Sequence, residues 1–376
     1  MNHHNFSDRA VRQTLPADPD TKQALNNLEK QIRQKQAEGD MPQVFIARQA
    51  RAMLYLINQR WSAAAREYQK AAKIARAEEQ PFLEAECYLG QGMALENLPQ
   101  AHQKTVDAYR QAAAIYGRLR VPVKLLESRQ RLATYYVSCR EHEAAIAEMS
   151  AAITELETVA QPGLVLQAYR QRAMLRLSSA KFTASSSGAA AQVAAEELAL
   201  ALADFDRAQQ LAEAGGEENV ALAIRVQRRG AQQLFNSDAP LEDAPTLQRL
   251  SLDAGSLDTL GDIYLQQAKD ALARQDYAEM LAAADNARRA ALQATDTARY
   301  IRYLVACLFM ANAREALNDR PGVIAILLTC KKSLEQALGK EVGDQMKLLL
   351  DSLAVRWGPA ELNEAVQLYR QRMASA

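Results

Sequence analysis

Cysteine and histidine, the side chains that most often carry chemistry, are few and widely separated in this sequence. The cysteines are Cys87, Cys139, Cys307 and Cys330, at successive intervals of 52, 168 and 23 residues. A redox pair or a local zinc knuckle needs cysteines a few residues apart, so the spacing argues against both. Each cysteine lies in a stretch of periodic apolar residues, which predicts a small buried side chain at all four positions.

The histidines also favour packing over catalysis. His102 and His142 are 40 residues apart and occupy equivalent places in a repeated pattern, where Trp61 stands in the first repeat. A separation of one repeat predicts different surroundings for the two rings, not a shared coordination shell. His3 and His4 are adjacent, with nothing nearby in the sequence to complete a site. We therefore expect no metal and no cofactor.

Motifs of enzymatic chemistry are absent as well. The sequence has no glycine-rich phosphate loop, no HExxH and no nucleophile elbow. With 15 Gly in 376 residues, it offers few sharp turns to hold a catalytic side chain in a strained position. These observations predict a protein that is not an enzyme.

Charge and hydropathy restrict the partners. The chain has 45 Lys+Arg against 45 Asp+Glu, so no net field attracts it to nucleic acid or anionic lipid. The longest apolar stretches, 303–311 and 323–328, are far shorter than the roughly 18 residues of a membrane span. We expect a cytoplasmic protein that binds no nucleic acid and does not insert into a membrane.

The elements that position these side chains follow a repeat. Pro42, Pro81, Pro122 and Pro162 are spaced by 39, 41 and 40 residues, and each opens a helical pattern. Between successive prolines, apolar residues recur at intervals of three and four, in two runs separated by a short polar turn. Each block of about 40 residues is therefore predicted to be a helical hairpin.

Small and large side chains alternate at fixed places in each hairpin. The first helices carry Ala52, Gly92 and Ala133 at one equivalent position, where a small residue lets two helices approach closely. The second helices carry large residues at Tyr68, Tyr109 and Met149, each followed three residues later by alanine. The apolar run of the first block comprises Val44, Ala47, Ala50, Leu54 and Ile57.

This pattern resembles the tetratricopeptide repeat, in a longer variant of about 40 residues. The resemblance is clear over 42–159 and returns at 257–294. It implies an all-α fold, a right-handed α-solenoid of TPR-like helical hairpins, with a concave groove that captures a segment of a partner protein.

The domain organisation that follows has four parts. Residues 1–20 are expected to be a disordered leader, and residues 21–214 to form N-terminal TPR-like repeats. An insertion at 181–196, rich in Ala, Ser, Thr and Gly, is expected to form a surface loop in the fourth hairpin. Residues 215–256 are predicted to be an irregular helix followed by a long loop over 236–256, and residues 257–376 to be C-terminal repeats with capping helices.

The resemblance also places the partner-binding groove. In such repeats it is lined by first-helix residues just after the small residue and one turn to either side. Carried over, these positions are Gln49, Met53 and Leu56; Leu89, Met93 and Glu96; Gln130, Thr134 and Val137; and Arg170, Met174 and Leu177. Methionine stands at the same place in three of the four hairpins. Its flexible thioether suits either an apolar partner helix or the filling of gaps between hairpins, and the sequence leaves both open.

Arginines on successive first helices form a second candidate feature. Arg129 and Arg131 are followed by Arg170, Arg172 and Arg176, and then by Arg225, Arg228 and Arg229. Such a stripe is able to steer an acidic peptide toward the groove, but solvated helix faces commonly have the same composition.

Together these features predict a non-enzymatic protein-protein interaction scaffold, adaptor or assembly chaperone. Its partner is expected to contribute a helix or an extended peptide, and a homo-oligomer is compatible with the sequence. The alternative is a regulatory sensor of a peptide or small effector, with 236–256 as its moving element.

Overall fold

The computed structural model describes residues 19–184, 189–234 and 244–375. Over these ranges the chain forms 17 α-helices and no β-strand. They fall into two compact units that divide between Leu211 and Ala212, near the end of α9. The structure thus confirms the all-α fold of tandem TPR-like hairpins. Four segments lie outside the described residues: 1–18 of the leader with its two histidines, 185–188 of the insertion, 235–243, which includes the start of the long loop, and the last residue. The last two residues of the predicted leader, 19 and 20, are the beginning of α1.

The helices of the N-terminal unit are α1 (Pro19–Glu38), α2 (Met41–Ile57), α3 (Trp61–Ala77), α4 (Pro81–Leu95), α5 (His102–Arg118), α6 (Pro122–Ser138), α7 (His142–Thr158), α8 (Pro162–Ala184) and α9 (Ala189–Ala214). Those of the C-terminal unit are α10 (Glu218–Leu234), α11 (Ala244–Asp253), α12 (Leu257–Ala273), α13 (Tyr277–Gln293), α14 (Arg299–Ala316), α15 (Arg320–Leu338), α16 (Lys340–Trp357) and α17 (Pro359–Ser375). Proline opens α4, α6 and α8, as the periodicity of the sequence predicts.

Most of these helices are joined by three-residue turns of one kind. The middle residue of these turns is left-handed, and in most of them it is not glycine, with φ of 56° at Gln59, 54° at Arg120 and 64° at Arg140. The amide that follows donates to the carbonyl five residues earlier, as from Glu141 to Tyr136 at 2.9 Å. This Schellman closure satisfies the carbonyls at the helix end. A non-glycine residue costs about 1 kcal/mol in this conformation, which the packing of the flanking helices offsets.

The small residues of the repeat are buried, and in the second hairpin the small residue touches the large one. Ala52, Ala133 and Ala173 are fully buried. Gly92 lies against the ring of Tyr109, and a Cβ added there would stand only 2.6 Å from Tyr109 Cε1. Only glycine therefore allows α4 and α5 to pack in this way, and the expected role of the small positions is confirmed.

Two segments differ from the loops expected for them. At 181–196, helix α8 continues to Ala184 and α9 begins at Ala189, so most of the segment is helical. Alanine has the highest helix propensity, which explains why the run extends both helices.

Within 236–256, α11 is a ten-residue helix whose Leu247 is fully buried beside Leu222 and Ile263. Tertiary packing of one apolar face therefore overrides the loop signals in that segment.

Candidate binding face

The first helices of consecutive hairpins form one side of the N-terminal unit. Within that unit, α6 and α8 contact each other directly across the hairpin junction, whereas the second helices α5 and α7 do not approach as closely. At this junction the two hairpins are therefore closer on the side of the first helices. This is the side on which the sequence places the groove, and we call the outward surface of α2, α4, α6 and α8 the first-helix face.

The position that follows the small residue points outward on this face. Met53 is 54% exposed and Met174 is 49% exposed. Thr134 is exposed at the equivalent place, and its hydroxyl donates to the carbonyl of Gln130 in its own helix at 2.9 Å. Met93 is different because it is half-buried and packs against the core of the neighbouring hairpins. The methionines thus divide into two exposed side chains and one that fills a gap.

Helix α2 carries an apolar stripe. Ile46, Met53 and Ile57 are 52%, 54% and 73% exposed. They stand at i, i+7 and i+11, so a period of 3.6 residues places them on one line along the helix. The opposite side of α2 buries Val44 and Ala47 in the core. Ile57 is expected from its spacing to be a core residue, and the structure corrects that assignment because the helix has turned it outward.

Two of the expected lining residues are buried instead. Leu89 is 4% exposed and lies in the core of the second and third hairpins, and Leu177 is 9% exposed. Their assignment to the groove is therefore corrected: these side chains pack inside the hairpins and present no surface to a partner. The physical reason is helical rotation: three residues turn a helix by about 300° and four by about 400°, so Leu177 and Leu89 are offset by about 60° and 40° from the outward position one turn away.

The remaining positions are intermediate in character. Gln49, Leu56, Gln130 and Arg170 are half-buried, and Val137 is half-buried against the core of the second and third hairpins. These residues border the first-helix face without projecting far from it.

Glu96 is exposed but has a structural partner. One of its carboxylate oxygens accepts a hydrogen bond at 2.6 Å from the hydroxyl of Tyr109, which is fully buried. Burial, reinforced by this hydrogen bond, raises the pKa of Tyr109 far above its ordinary value. The phenol therefore stays protonated and anchors Glu96 at the end of α4.

Three arginines of the stripe are turned inward. Arg172 and Arg176 donate to Asp204 on α9 at 2.6 and 3.1 Å, and Asp204 is only 5% exposed. Arg129 pairs in the same way with the buried Glu148 on α7. Because internal carboxylates already neutralise these guanidinium groups, they tie first helices to second helices and do not form a free cationic surface.

Sequence reasoning misses one group of side chains. Cys87, Cys307 and Cys330 are buried as predicted, but Cys139 is exposed, because it is the C-cap of α6 and lies in a turn. There it approaches His102 and Glu141. Cys139 and Glu141 lie in one turn, but His102 belongs to the preceding hairpin, and no spacing in the sequence signals that it is close to them.

None of the described helices has an apolar stretch long enough to span a membrane. No protein-family model matches the chain, and no curated protein matches it in sequence.

Several solved structures resemble the fold at low sequence identity. Aspartyl phosphate phosphatase F from Bacillus subtilis is 17% identical, with a TM-score of 0.46, and the match covers 82% of this chain and 74% of that chain. BtubC from P. vanneervenii is 17% identical with a TM-score of 0.39, over 73% and 91% of the two chains. The quorum sensor NprR from B. thuringiensis is 12% identical with a TM-score of 0.30, over 89% and 98%. The assignment of the fold rests on the helix packing described above.

Proposed function

We propose that this chain is a non-enzymatic binding scaffold, and that its first-helix face receives an apolar segment of a partner protein. The observation that carries the proposal is the stripe of Ile46, Met53 and Ile57 on α2, three large aliphatic side chains each more than half exposed on one line. Contiguous exposed apolar side chains are characteristic of interaction sites, whereas isolated ones are normal on any surface.

The shape of the stripe favours a helical partner. An amphipathic helix that lies in a groove presents anchors at i, i+3, i+4 and i+7, which match a row of side chains along a single helix. Methionine at the centre of the row adapts to anchors of different shape. Thr134 and Met174 extend the outward positions to the third and fourth hairpins. We therefore expect contact to be strongest at α2 and to weaken toward α8.

A double substitution on the stripe tests the proposal. In the variant Met53→Glu with Ile57→Glu, two charges replace apolar contacts at positions that are already solvated, so the fold is retained. We expect at least a tenfold loss of partner recovered by affinity purification from native cells, quantified by mass spectrometry. Circular dichroism and the melting temperature should stay near those of the unmodified protein.

The C-terminal unit offers a matched control. Ile301 and Val355 are 66% and 88% exposed, so Ile301→Glu with Val355→Glu removes comparable apolar surface and adds the same charge. Partner recovery should be unchanged in this control. Equal loss in both variants, or full recovery in the stripe variant, contradicts a role for α2.

The sensor alternative uses the same face but adds a conformational change on binding. The sensor would need the segment 236–256 to move, but α11 in that segment is held by packing, because its Leu247 is fully buried. This observation favours the scaffold. Small-angle neutron scattering with and without a contrast-matched partner separates the two, because the radius of gyration of this chain alone then changes for a sensor and stays the same for a scaffold.

A further inference from the structure

Three side chains that commonly ligate metals meet beside the turn of the third hairpin. His102 is the first residue of α5, Cys139 is the C-cap of α6, and Glu141 is the N-cap of α7. Their coordinating atoms all lie within 4.8 Å of one another. Among the residues that the structure describes, this is the one group of three or more His, Cys, Asp or Glu side chains with that property.

The backbone fixes the positions of Cys139 and Glu141 relative to each other. Arg140 lies between them, and its left-handed φ of 64° makes the turn tight. The amide of Arg140 donates to Val137 at 2.9 Å, and that of Glu141 donates to Tyr136 at 2.9 Å. Cys139 and Glu141 therefore project from a closed Schellman turn, not from a loose loop.

The histidine is oriented by a second contact. Its Nδ1 lies 3.3 Å from the hydroxyl of Tyr135, while its Nε2 lies 3.6 Å from Oε1 of Glu141. With Nδ1 protonated and donating to the Tyr135 oxygen, the lone pair of Nε2 is directed toward the carboxylate. A metal-binding histidine usually has its other ring nitrogen fixed by such a partner. Tyr135 is only 9% exposed, so the partner itself is held by the core.

Distances and charge fit a zinc ion. Bonds of about 2.0–2.3 Å in tetrahedral coordination place two ligand atoms about 3.5 Å apart, close to the separation between His102 and Glu141. One thiolate and one carboxylate carry two negative charges, which neutralise a divalent cation. Soft sulfur and imidazole nitrogen favour zinc and related transition metals over magnesium or calcium.

We propose that His102, Cys139 and Glu141 bind a Zn²⁺ ion, with the fourth coordination position left to water or to a ligand from outside the chain. The His102 and Glu141 side chains are 41% and 44% exposed, so the ion exchanges with solvent. Since its ligands come from α5, α6 and α7, the ion joins the second and third hairpins. This inference is independent of the proposed partner-binding face.

The repeat supplies an internal control. His142 is the first residue of α7, as His102 is of α5, but its ring packs against Phe182 at 5.3 Å between centroids. It belongs to no group of three ligands among the described residues. A substitution at His142 therefore changes the same residue type at the same place in a hairpin without touching the site.

Calorimetric titration of the metal-free, full-length chain with ZnCl₂ tests the site. We expect a stoichiometry of one, and a dissociation constant raised at least tenfold by His102→Asn and by Cys139→Ser. All proteins carry His3→Ala and His4→Ala, so that the adjacent histidines contribute nothing. The controls His142→Asn and Glu143→Gln should leave the affinity within twofold. Circular dichroism of each variant establishes that the helices are retained.

Cobalt substitution supplies a readout that is specific for the thiolate. Bound Co²⁺ should show a near-ultraviolet thiolate-to-metal absorption band that Cys139→Ser abolishes. Tyr135→Phe, which removes the hydroxyl beside Nδ1, should weaken Zn²⁺ binding about tenfold. The proposal is overturned if no Zn²⁺ binds, if binding survives His102→Asn and Cys139→Ser together, or if His142→Asn weakens it equally.

Discussion

The two units solve one packing problem in different ways. Just before the large residue of the second helix, three hairpins of the N-terminal unit bury a carboxylate, at Glu67, Glu148 and Asp204, and each accepts hydrogen bonds from arginines of the first helix. The equivalent positions of the C-terminal unit are Ala283, which is 7% exposed, and Ile326, which packs against the apolar core. A helical hairpin can thus be closed by a buried ion pair or by apolar contact alone.

This difference has a consequence for the response to substitution. A buried ion pair adds little net stability over apolar packing, but the loss of one partner leaves an uncompensated charge. The N-terminal unit is therefore expected to be sensitive at a few charged positions, and the C-terminal unit to be more tolerant at the equivalent places. The ionic contacts also restrict which first helix pairs with which second helix, because a wrong pairing leaves a buried charge without an oppositely charged partner.

The largest effect is expected for Asp204→Ala. It removes the carboxylate between Arg172 and Arg176, whose side chains are only 16% and 13% exposed, and it should cost about 3 kcal/mol of unfolding free energy. Urea unfolding followed by circular dichroism measures the loss.

The control is Glu279→Ala in the C-terminal unit. This residue pairs with Arg274, and the two side chains are 48% and 59% exposed, so the cost should stay below about 1 kcal/mol. Equal effects in the two variants would remove the contrast between the units.

A second contrast concerns glycine in the first helices. The Cβ of a Gly92→Ala variant meets the ring of Tyr109 at 2.6 Å, so we expect a loss of about 1–3 kcal/mol from overpacking. At Gly261 of α12 the nearest atom is Arg302 Cδ at 3.4 Å, and Gly261→Ala should be neutral or stabilising by about 0.5 kcal/mol.

Thermal unfolding of both variants sharpens the comparison. If Gly92→Ala proves neutral, the tyrosine ring moves aside, and the N-terminal unit packs less tightly than its geometry indicates. Loss of stability in Gly261→Ala would point instead to a helix contact in the C-terminal unit that tolerates no methyl group.

The smallest effect is expected at an ionic anchor of the C-terminal unit. Partial burial opposes ionisation of Asp319, but hydrogen bonds from Arg372, Arg314 and the amide of Gly322 outweigh it and hold the pKa of Asp319 below its ordinary value. A depressed pKa gives stability that is present above about pH 4 and is lost as the pH falls through the pKa of the folded state.

Asp319→Asn should therefore destabilise by about 1 kcal/mol or less at neutral pH, and the difference should vanish in acid. Asp276, which caps α13 by accepting the amide of Glu279 at 3.0 Å, provides the control variant Asp276→Asn. Urea midpoints measured from neutral to acidic pH test both variants. A difference for Asp319→Asn that grows in acid contradicts the assigned direction of the pKa.

The sequence by itself determined the repeat. Prolines at fixed intervals mark the beginnings of α4, α6 and α8. Small residues such as Ala52 and Gly92 stand at one repeated position, and Gly92 packs against the large Tyr109 because a hairpin closes only when its helices approach. These signals are local, since a helix start depends on neighbouring residues and the contacts within a hairpin span fewer than 40 positions.

Tertiary structure alone decided which side chains remain exposed and which ones meet. Packing leaves Ile57 exposed and buries Leu89, although both occupy apolar positions of the same pattern. Stacking of one hairpin on the next brings His102 to Cys139, 37 residues away. Contacts between residues of different hairpins depend on the angle between the hairpins. That angle is set by the packing of many side chains together, and no single residue of the sequence determines it.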